Sequence, residues 1–431
     1  MTMKVVRFNC AGLDVHSKII VATVGITDKA TMITEYHQKE FGTLNPDLCA
    51  LAKWLLSYEC RDVCMESTGK YWIPPFNALE SFGINITLAH PKYTRAIKGK
   101  KTDKKDSKWI CDLYKHDLVR GSFIPPKDIR ELRELSRYYI KLVAMRSSES
   151  LRFQNCMTVS NLQIHQIFSD PLGKSSQRVL REVLRTENPN EEEILKLIHK
   201  SCKKRGQVMD AINGSKIEPD ARFKMNTTLE HINEIDKHIE ACFKEMLVRA
   251  SKLSNRFIHI TSIPGISETS AVIIISEIGV NMEAWESGKQ LACWAGLTPG
   301  NNESANKKKS VRITKAGQYL KPILVQCALA AIGCKNNSYF RIKYQRIKKR
   351  RGHKKAIIAI ARMMLISIYH MIKTGEMFNP TDYEELVNPK PKKSKVFTIE
   401  SALSFLKDSG YDISTFQRTS PGGLDSIQPA C

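Results

Sequence analysis

Residues 5–24 read Val-Val-Arg-Phe-Asn-Cys-Ala-Gly-Leu-Asp-Val-His-Ser-Lys-Ile-Ile-Val-Ala-Thr-Val. Their β-branched content, broken briefly at His16-Ser17-Lys18, predicts two adjacent antiparallel strands, and Ile33 to Phe41 supplies a third. Asp14 falls inside the apolar part of this pair. A buried or half-buried aspartate needs a partner to offset its desolvation, and a metal ion is one. A solvated aspartate near a strand end is the plainer reading. Working outward, Asn45-Pro46-Asp47 starts a helix over 48–57 with Leu48, Leu51, Ala52, Leu55 and Leu56 on one face. Asp62-Val-Cys-Met-Glu66 then reads as a buried strand ending in a carboxylate, followed by Ser67-Thr68-Gly69. A helix over 72–82, a strand over 84–88 and a loop opened by His90-Pro91 come next. In open α/β sheets, sites collect where strands give way to loops, so Glu66 is placed to face Asp14.

That loop runs into Lys98-Gly-Lys-Lys-Thr-Asp-Lys-Lys-Asp-Ser-Lys-Trp109. Asp103 and Asp106, three residues apart, share one face of a helix, about 5–6 Å apart at Cβ. Lys98, Lys100, Lys101, Lys104, Lys105 and Lys108 surround them. Carboxylates are hard oxygen ligands suited to Mg²⁺, and lysines offset the charge of an arriving polyanion. A solvated, charge-mixed helix start is the alternative. The order strand-strand-strand-helix-strand-helix-strand-helix, with acids on the first strand, a later strand and the following helix, is the layout of a ribonuclease-H-like nuclease domain. In such a site two metals about 3.5–4 Å apart activate the attacking group and stabilise the leaving oxygen of a phosphodiester.

The chain has 431 residues and a net charge of +23, from 67 Lys and Arg against 44 Asp and Glu. That excess speaks to partners, nucleic acid first and an anionic membrane surface second. No apolar run reads as long enough to span a bilayer, and the N-terminus lacks the pattern of a signal peptide. A cytoplasmic protein, nucleoid-associated when bound to DNA and without a membrane partner, is expected. The twelve cysteines show no zinc spacing and are expected to be reduced.

From Lys127 to about Asn155 the chain is helical and rich in arginine, suited to phosphate contacts. After Pro219, Leu229, Ile232, Ile235 or Asp236, Ile239, Phe243 and Met246 follow alternating three and four spacings, which fits a coiled-coil or bundle seam as readily between copies as within one chain. Ile263-Pro-Gly-Ile266 is read as a tight turn able to hold a phosphate, or as a plain helix connection. Gly300-Asn-Asn-Glu-Ser-Ala-Asn306 precedes Lys307-Lys-Lys-Ser-Val-Arg-Ile-Thr-Lys315, so Ser304 is followed by a basic run that could hold a scissile phosphate beside it. Arg341 to Lys355 carries nine basic residues and no acid, with Tyr339, Phe340 and Tyr344 positioned to stack on bases.

Gly12-Leu-Asp-Val-His16, Met65-Glu-Ser-Thr-Gly-Lys-Tyr-Trp72 and Lys101-Thr-Asp-Lys-Lys-Asp106 together resemble the DEDD signature of insertion-sequence transposases of the one-hundred-and-ten family. The resemblance continues through Arg133-Glu-Leu-Ser-Arg137 and Lys141-Leu-Val143. It extends to Gly296-Leu-Thr-Pro299, a serine five residues on, and Ile313-Thr-Lys-Ala-Gly-Gln-Tyr-Leu320. It covers roughly residues 8–155 and 257–373. It implies Asp14, Glu66, Asp103 and Asp106 as the metal-binding catalytic acids and Ser304 as nucleophile, with Ser310 as fallback. Ala305 and Asn306 depart from the glycines that often follow that serine in the family.

The expected fold class is α/β plus α. A ribonuclease-H-like (RuvC-like) DEDD domain spans 1–125, a helical and coiled-coil linker 126–256, a mostly helical C-terminal serine transposase domain 257–379, and a basic linker and tail 380–431. The expected function is DNA transposition or recombination through the serine, assisted by Mg²⁺, with Mn²⁺ not distinguished from it. The resemblance also implies a structured guide RNA and a homodimer or homotetramer. One rival is a metal-dependent nuclease or Holliday-junction resolvase that uses water. A second rival is a nucleic-acid-binding protein without catalysis.

Overall fold

The computed structural model describes residues 4–66, 69–90, 94, 103–186, 189–253, 256–300, 302–305, 307–310, 312–334, 338–388 and 399–410. Ser67, Thr68, Lys98, Lys100, Lys101, Asn306 and the basic linker at 389–395 lie outside the described residues.

Five strands, β1 (Asn9–Val15), β2 (Ile19–Thr27), β3 (Thr34–Gly42), β4 (Asp62–Glu66) and β5 (Asn85–Ala89), form one sheet in the order β3-β2-β1-β4-β5. The first three are antiparallel, and β1, β4 and β5 run parallel to one another. β1 begins at Asn9, later than the apolar run that starts at Val5. Val6 and Arg7 instead donate their backbone N–H groups to the carbonyl of Lys115, at 3.0 and 3.1 Å.

Helices cover both faces, which is why β1 and β2 read as nearly continuous apolar runs. On one face Ala11, Leu13, Val15, Ile20, Ala22 and Val24 form a core with α1 (Asn45–Ser57) and α2 (Ile73–Ser81). On the other, Cys10 and Cys64 pack against Ile110, Cys111 and Tyr114 of α3 (Asp103–Lys115). α3 lies unusually close to β1. A Cβ built on Gly12 would stand 2.3 Å from both the Cys111 nitrogen and the Ser107 carbonyl oxygen. Ser107 is fully buried beside it, and its hydroxyl bonds that of Thr23 at 2.7 Å.

Two long helices follow, α4 (Lys127–Val159) and α7 (Pro219–Leu253). Arg249 pairs with Glu131, Cys242 reaches the Leu135 carbonyl, and Arg146 pairs with Asp236, so the helices run antiparallel as an intramolecular hairpin about 50 Å long. The seam read from the sequence is thus filled from within the chain. The hairpin's far end carries an insert with its own core, in which Phe153, Met157 and Ile232 meet Val179, Leu180 and Leu184 of α5 (Lys174–Arg185) and Ile194 of α6 (Glu191–Leu197).

The near end joins a helical C-terminal core built from α8 (Glu268–Ile278), α9 (Gly288–Trp294), α10 (Leu320–Gly333), α11 (Tyr339–Arg351) and α12 (His353–Thr374). α12 is long and apolar enough to cross a membrane by length and composition, contrary to the reading of the sequence. Its Ile357, Ile360, Met364, Leu365 and Ile368 are buried in this core. Gly265, at φ +88°, abuts α10: a Cβ there would stand 2.5 Å from the Cys327 carbonyl oxygen. The Ile263–Ile266 turn is therefore a packing joint, with both isoleucines buried, and not an outward-facing phosphate cradle. Beyond α12, Asp382 bonds Tyr339 and Lys343, and helix α13 (Tyr383–Val387) places Leu386 against the same core.

Gly12→Ala is expected to destabilise the protein by about 1–3 kcal/mol, because the methyl must displace helix backbone. Gly206→Ala, where a Cβ meets nothing within 4 Å, is the control and is expected to change stability by less than about 0.5 kcal/mol. Urea unfolding of the two variants checks this, and equal midpoints would refute the close-packing argument.

Candidate nucleic-acid-processing site

Asp14 stands one residue from the end of β1. The registered pair Leu13–Met65 puts Glu66, the last residue of β4, at the next position of the neighbouring parallel strand. α3 starts directly above with Asp103 and Asp106 in its first turn, where carboxylates also complement the helix dipole. The Gly12 contact sets this height.

His16 Nε2 lies 3.2 Å from Asp14 Oδ2 and 3.7 Å from Asp103 Oδ1. One ligand atom from each of Asp14, His16 and Asp103 falls within 4.8 Å of the others, a grouping able to hold a metal ion. Asp14 is 8% exposed, and burial pushes its carboxyl above the usual carboxylate range. The adjacent His16 works against that shift, and the charges of Asp103 and Asp106 reinforce it. Two carboxylates, Asp103 and Asp106, set near the desolvated Asp14, with the His16 imidazole beside it, form a donor set that a hard divalent cation fits.

Glu66 is held differently. Its Oε2 accepts a hydrogen bond of 2.9 Å from the buried Thr94 hydroxyl, and the Thr94 carbonyl accepts one of 3.1 Å from the Trp109 indole of α3. The structure therefore brings Asp14 and Asp103 together, sets Asp106 within their electrostatic field, and leaves Glu66 on the adjoining strand tied to Thr94. His16 had no role assigned from the sequence. Its position two residues after Asp14, with the side chain on the same side of the strand, was the available signal.

Ser304 lies elsewhere. It ends β6 (Asn302–Ser304), whose backbone pairs Ser304 with Lys307 at the start of β7 (Lys307–Ser310). Ala305, which follows it, has φ +50°, the left-handed conformation that glycine adopts without strain. This accounts physically for glycines at such a turn. The base of the hairpin is pinched: a Cβ on Gly317 would stand 2.2 Å from the Ala295 carbonyl oxygen, and one on Gly296 2.6 Å from that of Ala316. A bridge between Pro299 and Ile313 closes it further. Ser310, the fallback, accepts a hydrogen bond of 3.2 Å from the Arg312 backbone N–H.

The basic stretches divide by partner. Arg133 and Arg137 do not face solvent as phosphate contacts. Both pair with Glu277, whose side chain is 5% exposed, and Arg133 also bonds the Ser276 and Glu277 carbonyls. Burial pushes the Arg133 guanidinium down to about 10. They lock α4 to α8. In α11, Arg341 bonds the carbonyls of Ile332, Gly333 and Cys334, and Lys343 pairs with Asp382. Tyr339, Phe340 and Tyr344 are buried, so they belong to the core and offer no face for stacking on bases. Lys348, Lys349, Arg350, Arg351, Lys354 and Lys355 remain exposed around Gly352, at the corner between α11 and α12.

Residues 11–161 match the DEDD family model of the IS110 transposases, described as "Transposase", and residues 259–345 match the one described as "Transposase IS116/IS110/IS902 family". A curated protein of Pseudomonas aeruginosa named "Probable family 20 transposase" is 21% identical over 325 residues, covering 74% of this chain and 86% of that protein. The two matched segments contain, respectively, the carboxylate cluster and the serine hairpin. On these matches, the chain belongs to the IS110 family of insertion-sequence transposases, enzymes that act on DNA.

Proposed function

We propose that the chain cuts and rejoins the DNA of its element by transesterification, in a ribonuclease-H-like domain working with a serine nucleophile. The observation that carries the reading is the gathering of Asp14 and His16, at the end of β1, with Asp103 in the first turn of α3, beside a sheet ordered β3-β2-β1-β4-β5. Asp14, Asp103 and Asp106 would hold a divalent ion, with Glu66 completing the set once released from Thr94. Bound there, Mg²⁺ or Mn²⁺ supplies Lewis acidity to a phosphodiester.

The chain's own groups do the rest. The Ser304 hydroxyl oxygen bonds to phosphorus while the bond from phosphorus to one deoxyribose oxygen breaks. The serine proton passes to a base and the departing oxygen takes up a proton. The phosphoserine ester keeps the bond energy, so a second strand's hydroxyl can reverse the step. The acids and Ser304 belong to different cores, so the reading requires the hairpin of one chain to reach a carboxylate cluster in its own chain or in a partner copy. A homodimer or homotetramer and a structured guide RNA are part of the proposal. The exposed corner at 348–355 is its DNA-backbone contact.

Three outcomes test it. Incubated with Mg²⁺ and junction DNA of the element together with its flanking noncoding RNA, the wild type is expected to form a covalent protein–DNA adduct on a denaturing gel. Ser304→Ala and Asp103→Asn should each abolish it. Cleavage that survives Ser304→Ala without adduct would make the protein a water-using nuclease. Asp14→Asn addresses the metal. A carboxyl whose folded pKa is raised contributes stability below its unfolded pKa and loses it as pH rises through the folded value. The ionised Asp14 therefore costs the metal-free protein stability at neutral pH. Asp14→Asn is expected to raise the melting temperature at pH 7, by a margin that shrinks toward pH 4, and to remove stabilisation by Mg²⁺. A Mg²⁺ shift that persists in the variant counts against the site. Finally, replacing Lys348, Lys349, Arg350 and Arg351 together by Gln should weaken binding of all duplexes alike and flatten log K against log salt by about 0.9 per lost phosphate contact. An unchanged slope, measured by fluorescence anisotropy, removes the corner from the interface.

A further inference from the structure

Apart from its first two residues, the insert between the two hairpin helices lies outside both matched segments, and nothing above gives it a task. Over residues 160–218 it carries ten Lys and Arg against eight Asp and Glu. On α5, Val179, Leu180, Val183 and Leu184 are buried, and Lys174, Arg178 and Arg181 stand exposed in one stripe at the i, i+4, i+7 spacing of a helix face. The next residue of the stripe, Arg185, is neutralised by Glu182 at 2.6 Å. No ion pair joins the other three to an acid among the described residues. Lys174 also lines an open groove of ≈ 650 Å³ together with Lys203 and Lys204 and one acid, Asp170. The acids concentrate instead in Glu191, Glu192 and Glu193, in the first turn of α6.

We infer that this stripe and groove form a second DNA-docking surface, which grips the phosphate backbone of a duplex away from the carboxylate cluster. Lys174, Arg178 and Arg181 span about 10 Å of helix axis, over which a duplex presents about six phosphates. Along α4, Arg130, which bonds Glu80 beside the sheet, and Phe153 in the insert core are separated by about 35 Å, close to one turn of B-DNA. Side chains that contact phosphates in this way add affinity and register without reading sequence.

This rests on DNA being the partner, and the test separates the two questions. Wild type, Lys174→Gln/Arg178→Gln/Arg181→Gln and the charge-retaining Arg178→Lys/Arg181→Lys are titrated against a labelled 30-base-pair DNA between 50 and 200 mM salt. If three phosphate contacts are lost, the slope of log K against log salt falls by about 2.7, so the wild type loses about 40-fold more affinity over that range than the Gln variant. The Lys variant keeps the wild-type slope. Because all three residues are exposed, thermal melting should be unchanged, which separates lost contacts from lost fold. A Gln variant with the wild-type slope overturns the inference and leaves the transposase reading standing. No wild-type binding to the duplex at 50 mM salt overturns both. A slope loss confined to an RNA duplex of the same length overturns the assignment to DNA.

Discussion

The contact on which the site depends is between two backbones. Gly12 offers β1 no side chain on the face that α3 covers, so the helix settles within 2.3 Å of where a Cβ would be. The buried Ser107–Thr23 hydrogen bond then fixes its rotation. With height and rotation set, the first turn of α3 places Asp103 beside Asp14 and His16. A larger residue at position 12 would lift the helix and separate the carboxylates, although it is no ligand itself. The cost of bringing negative charges together appears in Asp14, whose carboxyl burial drives upward. An apolar scaffold under strain of this kind is relieved by a cation, so the packing and the chemistry point the same way.

The second constraint is the Arg133–Arg137–Glu277 cluster. Glu277 is a buried carboxylate near the end of a helix whose 271–275 run is apolar, and without its two guanidiniums it would be an uncompensated charge. It fixes the start of α4 against α8, while Arg130 on the same helix holds Glu80 and Asn77 beside the sheet. One turn of α4 thus touches both the α/β unit and the helical C-terminal unit. A relative movement of these two units would have to rotate about this turn.

The α/β half was largely legible because its signals are local. β-branched runs, a Pro-led helix start and a strand ending in Glu66 each fix an element within a few residues, and the observed bounds fall close to them. The grouping of Asp14 with Asp103 was legible from motif order. What the sequence hid was pairing at a distance. Thr94 as the partner of Glu66, His16 as a neighbour of both aspartates, and Gly12 as a helix seat all depend on which residues meet across dozens of positions, or on a side chain's exact facing. The length of the apolar run in α12 was underestimated from the sequence; composition cannot tell a core helix from a spanning one, and its burial among α10 and α11 is what identifies it as core.

The net charge was the plainest feature of the sequence and the least informative about location. A guanidinium gains as much from a helix-terminal carbonyl or a buried carboxylate as from a phosphate, so arginine density marks demand for hydrogen bonding, not its partner. Arg133, Arg137 and Arg341 spend their donors inside the protein, and Tyr339, Phe340 and Tyr344, which resemble a stacking platform in sequence, serve as core. Among the cations that remain are those at the α11–α12 corner and Lys174, Arg178 and Arg181 on α5, on helix surfaces with no acid partner among the described residues. An exposed cation that the fold does not need is the one a polyanion can bind without first breaking something. The charge excess therefore has to be read through the packing before it can be read as an interface.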